Sequence, residues 1–405
     1  VGFFVGAWVA RYLGPERFGT LNYAAAFTML LGTFATLGTD TIVVRELVKD
    51  PGRTDDILRT ATVLRVAGSL IVIALSVLLG MLLHPRDTTI RWLIVIYAAS
   101  TVFRPIDIVD LWFQSVSDMR PTVWARNGSF LGTTLLKVAL VIGGASCIGF
   151  ALADFVGAAL SALLLIVAFH SRGKVVQMRG WKQSEMNALL RASWPLLLAG
   201  VAISVYMRID QVMLPRLLHT NALQAVGNYS AAVKLSEVWY FIPMSLVTVL
   251  FPKIVQSKQA GSSIYLERLK KLFSLMTAIA LVVAVPMTFL SNYVVTVIYG
   301  NRFSGAGAVL AIHIWTTLFV FWGVVGEAWF VNEGLTRLSL YRTLSAAGLN
   351  VGLNFVLIPS FGALGAAVAT LIAQAFAAWI LNIIDARTRP LFFLQLQSLV
   401  LRGLL

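Results

Sequence analysis

The stretch STVFRPIDIVDLWFQS, residues 100–115, sets an arginine, two aspartates and a proline inside an otherwise oily chain. These residue types at this spacing make neither an activated nucleophile nor a metal site. What Arg104, Asp107 and Asp110 can do is pair with one another or hold a charged ligand. At a bilayer centre each such charge costs about 2.5 to 3.5 kcal/mol, so three of them require partners or water. At about 100° per residue, Ser100, Arg104, Asp107, Asp110 and Gln114 fall within an arc of about 120°, a single polar stripe on a helix. Arg104 and Asp107, three apart, are within reach of each other. Pro105 removes a backbone donor and can bend the segment between them. Two readings fit, an ion pair buried between helices or a stripe lining a wet cavity, and the added polarity of Asp110 and Gln114 favours the second.

Other charges recur at comparable depths. Lys137, Asp154, Arg208 and Lys234 each lie on the order of 10 Å inside the outer end of their oily segments, with Asp210 and Glu237 near the same level. Arg104, Asp107, Asp110 and Glu327 lie in the inner half. We therefore expect two charged tiers stacked along one path, whose cations Arg104, Lys137, Arg208 and Lys234 can bind an anion by charge-assisted hydrogen bonds. The acids Asp107, Asp110, Asp154, Asp210, Glu237 and Glu327 could carry a coupling ion or neutralise those cations. Lys234 and Glu237, three apart, can pair on one face, whereas Arg208 and Asp210, two apart, cannot. Lys137 has no acid on its own segment, so it either snorkels outward or meets substrate, with Asp154 as the alternative partner across spans. Trp239, Tyr240 and Trp322 read first as interfacial anchors and second as surfaces on which a sugar could stack.

The elements that must position these groups follow from composition. Of 405 residues, 58% are hydrophobic and 12% charged, against about 25% charged in soluble domains, and the mean hydropathy is +0.83. This is a polytopic membrane protein. Oily windows of about 20 residues recur at 20–42, 61–83, 91–113, 121–143, 147–169, 193–215, 227–250, 272–292, 305–331, 338–358 and 362–384. The run VGFFVGAWVA before them reads as the remnant of a first span whose beginning is missing. The expectation is an all-α protein of about twelve transmembrane helices. Long unbroken oily runs do not suit a closed barrel, which needs short alternating strands.

The net charge of +14 is distributed by topology. Only Arg11, Arg17, Arg86, Arg91, Arg216 and Arg302 fall in one set of alternate connections. Four basic residues lie inside spans, and the rest, among them Arg53, Arg65, Arg126, Arg179, Lys258 and Arg402, fall in the other set. Cytoplasmic connections carry such an excess, so both termini are expected in the cytoplasm. A nucleic-acid site, which would gather these charges with aromatics on a soluble face, does not fit. Cys147 is the single cysteine, and His84, His170, His219 and His313 lack ligand spacing, so no disulfide, metal or cofactor is expected. There is no strand with a phosphate-binding glycine loop to drive a pump with ATP. Outer connections such as GGAS and PSFG are too short to house an enzyme.

The two halves echo each other. FGTLNYAAAF opens the second span and VGNYSAAVKL the eighth, six spans later, as parallel repeats would require; small residues common at helix contacts are the plainer explanation. The expected organisation is an N-terminal lobe at 1–170, a cytoplasmic linker at 171–192, a C-terminal lobe at 193–386 and a cytoplasmic or interfacial tail at 387–405.

The segments ARYLGPERFGTLNYAAAF, LGTDTIVVRE, RIDQVMLPRLL, AVGNYSAAVKLSEVWYFIPMSLVTVLFPKI and SFGALGAAVATLIAQ, in this order, resemble bacterial polysaccharide flippases. These are the Wzx-type (O-antigen) members of the multidrug/oligosaccharidyl-lipid/polysaccharide (MOP) exporter superfamily. The resemblance implies two pseudo-symmetric six-helix lobes around a central cavity, alternating between inward-open and outward-open states. It implies an oligosaccharide repeat unit on undecaprenyl pyrophosphate as cargo, moved across the bacterial inner membrane for O-antigen, capsule or exopolysaccharide synthesis. Membrane lipids, a polysaccharide polymerase and a chain-length regulator are the implied partners, and no covalent chemistry is involved. A drug exporter of the same superfamily would need a mainly acidic cavity, which the four cations oppose. A membrane polymerase or glycosyltransferase on the same carrier would need a larger outer loop.

Overall fold

The computed structural model describes residues 2–176 and 180–400; Arg179 and Arg402 of the charge count, Val1 of the first oily run and the last five residues of the tail lie outside them. Among the described residues the chain is helical throughout, without a strand. It divides into two compact units, Val1–Val212 and Met213–Leu405.

The first unit contains α1 (Gly2–Thr36), α2 (Asp40–Lys49), α3 (Thr54–Leu83), α4 (Thr88–Ser100), α5 (Ile108–Ser115), α6 (Arg120–Ile142), α7 (Cys147–His170) and most of α8 (Gln183–Leu217). α1 turns at Gly14, whose φ of 73° favours glycine, and Pro15 restarts the helix at a position that needs no backbone donor. The helix after that turn ends at Thr36, earlier than the expected limit of 42, because Leu37 and Gly38 both take positive φ. α2 then buries Ile42, Val43 and Leu47 on one face. Val43 and Leu47 join Ile57, Ile108, Val109, Phe113, Leu165 and Phe169 in an apolar core, while Ile42 packs with Leu64 and Leu189.

The second unit contains α9 (Ala222–Glu237), α10 (Phe241–Gln256), α11 (Ser262–Tyr299), α12 (Ser304–His313), α13 (Thr316–Asn332), α14 (Thr336–Ala378) and α15 (Arg389–Ser398). α14 turns at Gly362, φ 56°, three residues after Pro359. Its core gathers Phe273, Met276, Phe321, Trp322, Val325, Phe330 and Leu391. Trp322 is buried and donates to Thr277 Oγ1 at 2.8 Å, so it is a core residue and not a surface for sugar stacking. Tyr23 and Tyr229, from the two echoing segments, are both buried, and each meets a histidine ring edge-on, His84 at 5.2 Å and His313 at 6.0 Å.

Nine stretches of the described residues are long and apolar enough to cross a membrane. Two of them, Gly2–Lys49 and Thr336–Ile383, have 48 residues each, about 72 Å if straight, more than twice a hydrocarbon core of about 30 Å. Each is turned by its glycine. α6, the expected fifth span, is kept out of the nine by its polar residues.

α15, within the expected tail, is a packed element. Leu391, Gln395 and Ser398 are buried along one face, and Trp379 stacks on Phe392 at 5.4 Å. Gln395 donates to Ala378 O at 2.8 Å and accepts from Asn382 Nδ2 at 2.9 Å. Its turn carries Asp385, which Arg387 holds down at about 2 by hydrogen bonding, so the pair stays charged at neutral pH. Gln395→Leu should cost about 1 to 3 kcal/mol by leaving buried polar groups unpaired. A detergent-solubilised variant is expected to melt earlier than the parent; an unchanged Tm would show that these bonds contribute nothing.

Candidate functional site

Residues 101–107 form a 3-10 segment between α4 and α5 instead of continuing the α-helix. A 3-10 run of this length is unusual, and its three residues per turn stack positions i and i+3. Arg104 therefore sits over Asp107, with Nη1 3.7 Å from Oδ2, held by charge and not by a hydrogen bond. The expected α-helical stripe survives in its members but not in its geometry.

The strong partner of both aspartates comes from another helix. Arg126 of α6 donates to Asp110 Oδ2 through Nη2 at 2.6 Å and Nε at 3.2 Å, and to Asp107 Oδ1 at 3.3 Å. Sequence reasoning had counted Arg126 as an inner-connection charge. The result is a chain Arg104–Asp107–Arg126–Asp110, neutral overall, which lowers the cost of holding it away from water. Both guanidiniums are about half exposed, 56% for Arg104 and 48% for Arg126. A guanidinium has five N–H donors in a fork that matches phosphate oxygens, and several here remain open. Asp110 Oδ1 is buried and without a protein hydrogen-bond partner.

Behind this cluster Arg65 of α3, 1% exposed, pairs with Asp40 at the start of α2. Arg65 had also been assigned to a connection. The structure makes it the first unit's most deeply buried guanidinium.

The outer charges of the same unit meet on α6 and α7. Lys137 Nζ lies 2.5 Å from Asp154 Oδ1, and Tyr97 donates to Asp154 Oδ2 at 3.2 Å. Asp154 is thus the partner of Lys137, which neither snorkels nor stands open as the sequence alternatives had it. α6 joins the two clusters. Arg126, Ser129, Thr133 and Lys137 fall within an arc of about 80° and span roughly 16 Å of helix. The opposite face carries exposed Trp124, Leu131, Leu135 and Ile142 within about 40°. This spacing was legible in the sequence and is the signal that would have found Arg126.

The remaining expected residues lie on α8, α9 and α13. On α8, Asp210 is buried and Arg208 partly so. On α9, Lys234 is exposed between buried neighbours, and Glu237 is partly buried. Glu327 of α13 accepts a hydrogen bond from Ser339 Oγ. Nearby Arg342 lies 4.3 Å from the Phe330 ring centre and donates through Nε to Ala377 O at 2.9 Å. No group of three or more metal-ligating side chains occurs among the described residues.

The chain is a helical, multi-pass membrane protein with two charged clusters in its first unit. The chain belongs to the family described as polysaccharide biosynthesis protein, whose sequence profile matches residues 1–258. It is 24% identical over 172 residues to an uncharacterized membrane protein of Methanocaldococcus jannaschii, a match spanning 41% of this chain and 34% of that relative. Its fold is that of the MOP superfamily. It is similar to an inward-facing multidrug resistance MATE family transporter, with a TM-score of 0.76 at 14% identity, covering 99% of this chain and 94% of that one. It is also similar to the lipid II flippase MurJ in an inward closed conformation, with a TM-score of 0.71 at 14% identity, covering 98% and 90%.

Proposed function

We propose that this chain is a flippase for oligosaccharide repeat units carried on undecaprenyl pyrophosphate, working by alternating access of two lobes in a bacterial inner membrane. Both termini lie in the cytoplasm, and the product feeds O-antigen, capsule or exopolysaccharide synthesis, with a polymerase and a chain-length regulator as partners. The observation that carries this reading is the Arg104–Asp107–Arg126–Asp110 chain, two half-open guanidiniums braced by carboxylates, in a member of the polysaccharide biosynthesis family. A diphosphate is the anion such a fork fits best. The fold shared with a protein named as a lipid II flippase supports a lipid-linked cargo. Arg208 and Lys234 are further candidate cations for anionic cargo, and Asp107, Asp110, Asp154, Asp210, Glu237 and Glu327 are the candidate acids for ion coupling or charge pairing.

Deleting the gene should abolish surface polysaccharide and leave the lipid-linked unit on the cytoplasmic leaflet, with both effects reversed by restoring it. Reporter fusions after Gly52, Arg179, Gln259 and Leu335 should report cytoplasm, and those after Arg86, His219 and Arg302 periplasm. A deletion that changed drug tolerance while leaving surface polysaccharide intact would favour a small-molecule exporter instead.

A further inference from the structure

Beside Lys137 and Asp154, which line it, the first unit has a cleft of about 320 Å³ walled by α1, α6 and α7. Its polar atoms are mostly acceptors. The Ser129 hydroxyl donates to Arg126 O at 2.9 Å, and the Thr133 hydroxyl to Ser129 O at 2.8 Å. A hydroxyl has one hydrogen and two lone pairs, so a hydroxyl whose hydrogen is committed to the helix backbone offers its surroundings only acceptor capacity. Asp154, as a carboxylate, is acceptor-only, and Lys137, the cleft's cation, is already held by it at 2.5 Å. Phe130 adds a half-exposed ring. Gly6 leaves its part of the wall bare, with no atom within 4 Å of where a Cβ would stand.

We propose that this cleft is a subsite for the neutral, polyhydroxylated part of the cargo, its sugar, while the anionic diphosphate is held by the Arg104 and Arg126 cluster. The assignment rests on the flippase reading and divides the cargo by chemistry. An anion is repelled by the carboxylate in the wall, and the cleft's one cation is neutralised by it. Sugar hydroxyls supply hydrogens to the open lone pairs of Ser129 and Thr133, and a sugar's C–H face packs on an aromatic ring. The volume is at the small end of ligand pockets, which run from about 300 to 1,000 Å³. It suits a portion of an oligosaccharide rather than the whole unit.

Two changes test this without touching a charge. Gly6→Leu fills the open space, and the pair Ser129→Ala with Thr133→Val removes the acceptors at nearly constant volume. Each is measured for surface polysaccharide in the chain's own host lacking the native gene. Each is also purified into lipid nanodiscs and measured for binding of undecaprenyl pyrophosphate that carries no sugar. Surface polysaccharide is expected to fall roughly tenfold or more, as when a site built to hydrogen-bond hydroxyls loses them, while the sugar-free carrier binds as to the parent. Arg126→Gln should lose the sugar-free carrier. Normal export by both cleft variants, or a parallel loss of sugar-free carrier binding, would overturn the assignment. Gly6→Leu guards against misfolding, because its side chain enters empty space. If the parent itself neither exports nor binds the carrier, the flippase reading fails and takes the subsite with it. A competent parent matched by competent cleft variants removes the subsite alone.

Discussion

Arg126→Gln is expected to reduce surface polysaccharide to background while membrane levels of the protein stay near those of the parent. The substitution takes from Asp110 its bonds at 2.6 and 3.2 Å and from Asp107 its bond at 3.3 Å. Two carboxylates three residues apart are then left with Arg104 alone, 3.7 Å from one of them. Like charges this close repel each other, so the carboxylates no longer brace Arg104 and the fork proposed to hold the diphosphate is lost. Arg126→Lys should recover only part of the activity, because a point charge cannot bridge two carboxylates and a phosphate in one plane. Accessibility separates a binding cluster from a structural pair. In an active Cys147→Ala background, a cysteine at 107 or 110 should react with a hydrophilic maleimide, and failure of both to react would make the cluster a dry brace.

Asp40→Ala is expected to have the largest effect on stability, about 3 kcal/mol, because it strands the Arg65 guanidinium inside the first unit. The value is set at the low end of the range for broken buried pairs, since Asp40 itself is 54% exposed and partly screened by solvent. Asp40→Ala combined with Arg65→Met should regain most of the loss, because an apolar side chain of similar length fills the site without an uncompensated charge. Melting temperatures in one detergent would report both variants. A single Asp40→Ala change that melts like the parent would mean that Arg65 reaches water and that the pair contributes little.

The sequence by itself determined the all-helical membrane class, the family resemblance and most span positions, because each is written in local hydropathy and in the order of short segments. It also put Arg104 and Asp107 within reach of each other, and left Asp154 as one of several alternatives for Lys137. It did not determine that residues 101–107 wind as a 3-10 segment, since the choice between i+3 and i+4 bonding is made by what α4 and α5 pack against. Nor did it determine that Arg126 braces both aspartates or that Arg65 is buried: both had been counted as connection charges, because a basic residue near a span end looks the same whether it faces water or turns inward. Trp322 and α15 teach the same lesson, the first an apparent interfacial anchor that is core, the second an apparent loose tail that packs through Leu391 and Gln395. Only the tertiary structure decided these cases, because helix rotation and crossing choose which faces meet. That choice minimises buried, unpaired charge over residues far apart in the chain, a quantity that no local window of sequence contains.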